Sequence, residues 1–353
     1  MIARCWLHIG TGKTGITTIQ HYLARNRNAL LAQGYLYPVA PGRGNHHALT
    51  AYALEDRKVD ETRKRLGLVD PGRLAAFRRD FPDALQVEAA RSAASNLILS
   101  NEVLSVRLRT PAEVERIKSL CDRIAASTKV IVYLRNQVDF MVGIYTTSVT
   151  GGNAKDFELA WMRIADYAAM LARWSAVFGR ENIIVRRYDK SCLQGGDVRS
   201  DFAQQLGLDA SRLMVTRDLN RSLDTESIAF LRAFNARVPT ALAEQIAPVR
   251  YAIAAVLGKR RGGTRFAIPR ELAARIEDSF EESNAQVAME YFSSLSGPLF
   301  PPPSCVGDGS NDVAPPGMFR MAATLVPMGI YWWLARWLRR AGDTWRPAGP
   351  SSR

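Results

Sequence analysis

His8-Ile9-Gly10-Thr11-Gly12-Lys13-Thr14-Gly15-Ile16-Thr17-Thr18 is the stretch on which the fold turns. Before it, residues 2–9 (IARCWLHI) are apolar and partly β-branched, the pattern of a short buried strand that Gly10 stops. After it, Ile16, Ile19, Leu23, Leu30 and Leu31 recur near helical spacing, which predicts a helix over 16–33 with Gly34 as its C-cap. A glycine-rich loop between strand and helix offers free backbone N–H groups and the positive helix end to an anion. Glycines at 10, 12 and 15 permit close approach of the backbone, Lys13 adds a point charge, and threonine hydroxyls add donors. The candidate anion-binding set is therefore Gly10, Thr11, Gly12, Lys13, Thr14, Gly15, Thr17 and Thr18.

Working outward, Leu97–Leu99, Lys129–Leu134 (KVIVYL) and Ile183–Val185 read as further short strands. Residues 159–178 read as an amphipathic helix ending at Gly179. Short apolar strands alternating with helices predict an α/β fold: a parallel sheet flanked by helices on both faces, with a helical C-terminal part over about 215–295. Residues 259–263 (KRRGG) form a basic break in that part. The expected organisation is an α/β domain over 1–296, a Pro/Gly-rich linker over 297–317 and an amphipathic helix over 318–340. Within that last segment Met321–Ala335 is uncharged, contains two adjacent tryptophans and is flanked by Arg320, Arg336, Arg339 and Arg340. It is short for a bilayer span, and fits either an interfacial helix on an anionic membrane or a helix docked on protein.

The chain has 353 residues and a formal net charge of +13. Such a balance fits either a solvated basic surface or an anionic partner: nucleotide phosphate, acidic glycan, nucleic acid or lipid. No basic platform interleaved with aromatics is visible, so no nucleic-acid partner is expected. The four cysteines lie far apart, without metal-ligand spacing. The N-terminus lacks the parts of a cleaved secretory signal, and a cytoplasmic location is expected, with peripheral membrane attachment as a further option through 318–340.

Gly12-Lys13-Thr14 match the end of a Walker A loop, but its first glycine falls on Leu7, so the ordinary NTPase pattern fails. Residues 10–18 instead resemble the 5′-phosphosulfate loop of the PAPS-dependent sulfotransferases, including their bacterial members, often written with PK[ST]GTT at its core. Lys13, Thr14, Gly15 and Thr17 match; Gly12 stands where proline is usual and Ile16 where the first threonine of the triplet is usual. A second match lies at Val130–Gly151, where Arg135 ends a strand. In that family an arginine here, with a serine eight residues on, holds the 3′-phosphate of PAPS; the serine position is Gly143, with Thr146, Thr147 and Ser148 one turn beyond. The resemblance runs over about residues 3–295, through Trp174, Phe178-Gly179, Asp201-Phe202 and Phe280–Phe292. It implies a P-loop-like sulfotransferase fold, PAPS as donor, Arg135 and the loop as its binding residues, and no metal.

Sulfuryl transfer to a hydroxyl, of a carbohydrate or glycan in this reading, needs cationic stabilisation of the leaving oxygen and a base for the acceptor. Lys13 is the candidate for the first task. For the second, His46 and His47 lie in a Pro/Gly/Arg loop after the first helix, where the family places its acceptor side, and imidazole titrates near neutrality. Glu102, in LILSNEVLS, is the rival. His8 and His21 are expected to be a strand residue and a helix-surface residue. Two other classes stay open: a protein that keeps the fold but has lost donor affinity, and a nucleotide kinase or NTPase.

Overall fold

The structure is a computed structural model in which residues 2–216, 223–258 and 263–307 are described. The helix expected over 318–340 and most of the basic break at 259–263 lie outside these residues. The chain divides into two compact units. One holds residues 2–144, 159–216 and 271–304; the other holds 145–158, 223–258, 263–270 and 305–307.

The first unit is a five-stranded parallel sheet: β1 (Ile2–Gly10), β2 (Tyr35–Leu36), β3 (Asn96–Ser100), β4 (Ala125–Leu134) and β5 (Ile183–Arg187), in the order β2-β3-β1-β4-β5. Parallel strands buried on both faces read as continuous apolar runs, and Val130 to Leu134 are each fully buried. Leu7, Ile9, Leu97, Leu99, Val130 and Val132 join a core with the helices Pro111–Asp122 and Tyr167–Phe178 on one face. Trp6, Ile98, Ile131 and Tyr133 pack on the other face with helix α1 (Ile16–Arg25) and the helix Val198–Leu206. The expected α/β architecture is present. Chain order reverses around β1, with β3 on one side and β4 on the other. Crevices at the carboxyl ends of such strands are where open α/β sheets bind ligands.

Local differences have local causes. The single helix expected over 16–33 breaks at Asn26, giving α1 and the short α2 (Arg27–Leu31). The Asn26 amide donates to the carbonyls of Tyr22 and Met214 and accepts from the Met214 N–H, pinning a distant loop at that point. The helix expected over 159–178 is interrupted at Asp166, whose carboxylate caps the helix Tyr167–Phe178 through Ala169 N–H. Gly179 ends it, as expected, at φ 81°.

Residues 297–307 are not a free linker. Leu299 and Phe300 join the first unit's core. Ser304 is held by Asp139, through backbone N–H to Oδ1 at 3.0 Å and hydroxyl to Oδ2 at 2.8 Å. In the second unit, Val306–Gly307 pairs in parallel with Ile268–Pro269. That unit also contains the helices Thr225–Ala236 and Ala247–Leu257, in agreement with the helical C-terminal expectation.

Candidate functional site

Three strand ends converge on one edge of the first unit. β1 delivers the loop 10–15, β3 delivers Asn101 and Glu102, and β4 delivers Arg135. Backbone hydrogen bonds extend the pairing past the strands: Thr11 N–H donates to Tyr133 O and Asn101 N–H to His8 O, both at 3.0 Å.

The loop turns sharply. Gly10 has φ +126°, and a Cβ there would lie 2.7 Å from both Glu102 O and Ser105 Oγ, so this contact between β1 and the segment after β3 requires glycine. Lys13 is left-handed at φ 66°. α1 then starts from Gly15 with no side-chain cap, so the N–H groups of its first turn, Ile16 to Thr18, have neither a helical nor a capping partner among the described residues. Thr17 is exposed and Thr18 half-buried there.

Thr11 and Thr14 point elsewhere. Both are buried, and each hydroxyl donates its proton to a carbonyl: Thr11 Oγ1 to Tyr133 O at 3.0 Å, Thr14 Oγ1 to Thr11 O at 2.6 Å. These two hydroxyls shape the loop; their protons are spent internally. The Lys13 ammonium, the α1 N-terminus and the hydroxyls of Thr17 and Thr18 remain as the candidate donors for an anion.

Arg135 meets the loop directly. Its guanidinium donates to the Lys13 carbonyl at 3.2 Å, lies 5.8 Å from the Tyr188 ring centroid, and stands 3.5 Å from Asp139 Oδ2. Tyr167 donates to the Arg135 carbonyl at 2.8 Å and fixes the strand end. Burial pushes the Lys13 ammonium below the ordinary lysine range; Arg135 pushes the same way and Glu102 opposes both.

Gly143, at the position where the resembled family has serine, lies on the helix Gln137–Thr150 beside the Lys13 stem. A Cβ at 143 would sit 2.9 Å from Lys13 Cγ. Thr146, Thr147 and Ser148 lie farther along the helix, in the second unit.

The two histidines considered as bases, His46 and His47, differ. His46 is fully buried, its Nδ1 accepts from Ser100 N–H at 3.1 Å, its Nε2 meets Pro38 O at 3.2 Å, and its ring stacks on Tyr37. Burial holds its pKa down at about 3, with the Pro38 carbonyl opposing. Both ring nitrogens are engaged and the ring is neutral, so His46 is a structural residue here, not one poised to take an acceptor's proton. His47 opens α3 (His47–Ala53) half-buried, with Nδ1 enclosed and without a hydrogen-bond partner among the described residues. His8 is buried on Phe202 and Tyr133.

Glu102 stands beside the loop. Its Oε2 accepts from Gln20 Nε2 at 3.0 Å and from Asn45 Nδ2. Sequence reasoning passed over Gln20, although it is a polar residue between Ile16, Ile19 and Leu23 on the buried stripe of α1, and it passed over Asn45 in favour of the histidines next to it. Among the described residues, no group of three or more His, Cys, Asp or Glu side chains could hold a metal ion. Nor is any described helix long and apolar enough to cross a membrane.

No family model matches the chain. An uncharacterized protein of Archaeoglobus fulgidus is 28% identical over 169 residues, 47% of this chain and 46% of that one, so the match spans under half of that relative. The crystal structure of a sulfotransferase from Alicyclobacillus acidocaldarius aligns at a TM-score of 0.40 with 17% identity, over 70% of this chain and 96% of that one.

Proposed function

We propose that the chain transfers a sulfuryl group from PAPS to a hydroxyl, with a carbohydrate or glycan as the acceptor class. The observation that carries this reading is the meeting of Lys13, the uncapped start of α1 and Arg135 on one sheet edge, with Glu102 beside them. These residues fit the donor's chemistry. A diester-like phosphosulfate suits backbone N–H groups and one lysine, while a monoester phosphate suits an arginine fork.

In the proposed step, Glu102 takes the acceptor's proton as its oxygen bonds to sulfur. The bond from sulfur to the 5′-phosphate oxygen breaks, the electron pair stays on that oxygen, and Lys13 stabilises the charge. Adenosine 3′,5′-bisphosphate leaves. Aligning the reactants and meeting the developing charge supply most of the rate.

The inward donation by Thr11 and Thr14, together with Gly143, favours a second reading: a binding protein of this fold with weakened donor affinity. A thermal-shift titration with adenosine 3′,5′-bisphosphate beside ATP plus Mg²⁺ tests both. Ligand at a hundredfold excess over Kd stabilises by about 2.7 kcal/mol. A bisphosphate-selective rise supports the donor site, no rise favours the second reading, and a rise with ATP alone favours a kinase.

A further inference from the structure

The two oxygens of Glu102 are not equivalent. Gln20 and Asn45 both donate to Oε2. Gln20 is 5% exposed, and its Nε2 also faces the carbonyl and hydroxyl of Ser100 at 3.4 Å. A buried amide costs free energy unless partnered, and here the partner is a carboxylate beside the anion loop. Asn45 comes from the segment just ahead of His46, whose carbonyl is tied to Asn101 Nδ2 at 2.8 Å. Both donors belong to segments fixed by their own packing.

We propose that Gln20 and Asn45 are positioning residues that hold Glu102 by Oε2 and reserve Oε1 as the atom that accepts the acceptor's proton. This inference rests on the sulfuryl-transfer reading and deepens it. Two donors on one oxygen fix the carboxylate's rotation, and a carboxyl group held by one oxygen presents the other in a defined direction. Because Gln20 rides on α1, the helix that offers its N-terminus to the donor also orients the base. Donor and acceptor geometry are thereby set by one rigid element.

The test uses the full chain with Gln20→Met, which keeps length and removes the amide, and Asn45→Ala, which removes the second donor. Turnover of PAPS is read as bisphosphate released with water as the acceptor, alongside the Kd of adenosine 3′,5′-bisphosphate. The expected result is a fall in kcat of about tenfold or more with Kd within about twofold, since misorientation acts on the chemical step. In a Glu102→Gln background neither substitution should lower the rate further, because residues acting as a unit are not additive. Losses that multiply in that background, or a Kd that changes in step with kcat, would mean a structural role and overturn the inference. A wild type that binds the bisphosphate but turns over no faster than Glu102→Gln overturns Glu102 as the base and this inference with it, while the donor reading stands. A wild type that ignores the bisphosphate overturns the donor reading and this inference with it.

Discussion

The guanidinium of Arg135 donates to the backbone carbonyl of Lys13 at 3.2 Å, joining two segments 122 residues apart. The bond sets the lysine's main chain against the end of β4, so the cation proposed for one end of the donor braces the residue proposed for the other.

Arg135→Ala should therefore act twice, removing the proposed phosphate contact and loosening the loop. Losing charged hydrogen bonds costs about 1.5–3 kcal/mol each, so bisphosphate affinity should fall by roughly tenfold to a hundredfold. Lys13→Ala should lose a similar amount without the loop effect. Calorimetric titration of both variants checks this; affinity unchanged in either removes that residue from the site.

Gly143→Ser restores the hydroxyl usual in the resembled family but adds a Cβ 2.9 Å from Lys13 Cγ. Overpacking costs about 1–3 kcal/mol. Bisphosphate binding should weaken as the lysine stem is displaced. An increase in affinity would show that the stem yields easily and that the missing hydroxyl was the limiting contact.

Gly10→Ala meets two obstacles at once, a φ of +126° and carbonyl and hydroxyl oxygens 2.7 Å away. Strain of about 1–3 kcal/mol should lower Tm by several degrees, at roughly 2–4 °C per kcal/mol for a chain of this size. Differential scanning calorimetry reads it directly; a Tm within a degree of wild type contradicts the close packing of β1 on the segment after β3.

His8 and His46 are both buried, and burial holds each pKa down at about 3. The unfolded value is about 6.5, so the folded state resists protonation. Their contribution to stability is fully present above about pH 6.5 and is lost as pH falls toward 3. Each takes up a proton on unfolding in that window, a slope of about 1.4 kcal/mol per pH unit per histidine. Urea unfolding at pH 7, 6 and 5 should show stability falling progressively, on top of any carboxylate effect; a flat profile would mean the rings are reached by water.

Much of the first unit was legible from contiguous residues. KVIVYL reads as a buried strand because a parallel strand covered on both faces needs no alternation, and Gly10 to Gly15 read as an anion loop because turn chemistry is local. The long helix Pro71–Arg91 escaped, although Asp70 caps it and Pro71 opens it. Pro82 sits in its interior, and its buried residues, Leu74, Phe81, Pro82 itself, Leu85 and Ala89, are thinly spread among charges. Secondary-structure rules weigh proline as a breaker, while packing on Phe81 and Leu85 overrode it.

The sequence by itself determined the parallel α/β core, the strand–glycine loop–helix connection and the place of Arg135 at a strand end, because each depends on neighbours within a few residues. Only the tertiary structure decided which polar side chains face the site. His46 and Glu102 are equally plausible bases on paper, and their roles part because Ser100 and Pro38 close over the imidazole while Gln20, 82 residues away from the glutamate, holds its carboxylate. Likewise, Thr14 turns its hydroxyl to Thr11 O, and Gly143 clears room for a lysine stem. Burial and hydrogen-bond partnership arise from long-range packing, and no local pattern encodes them.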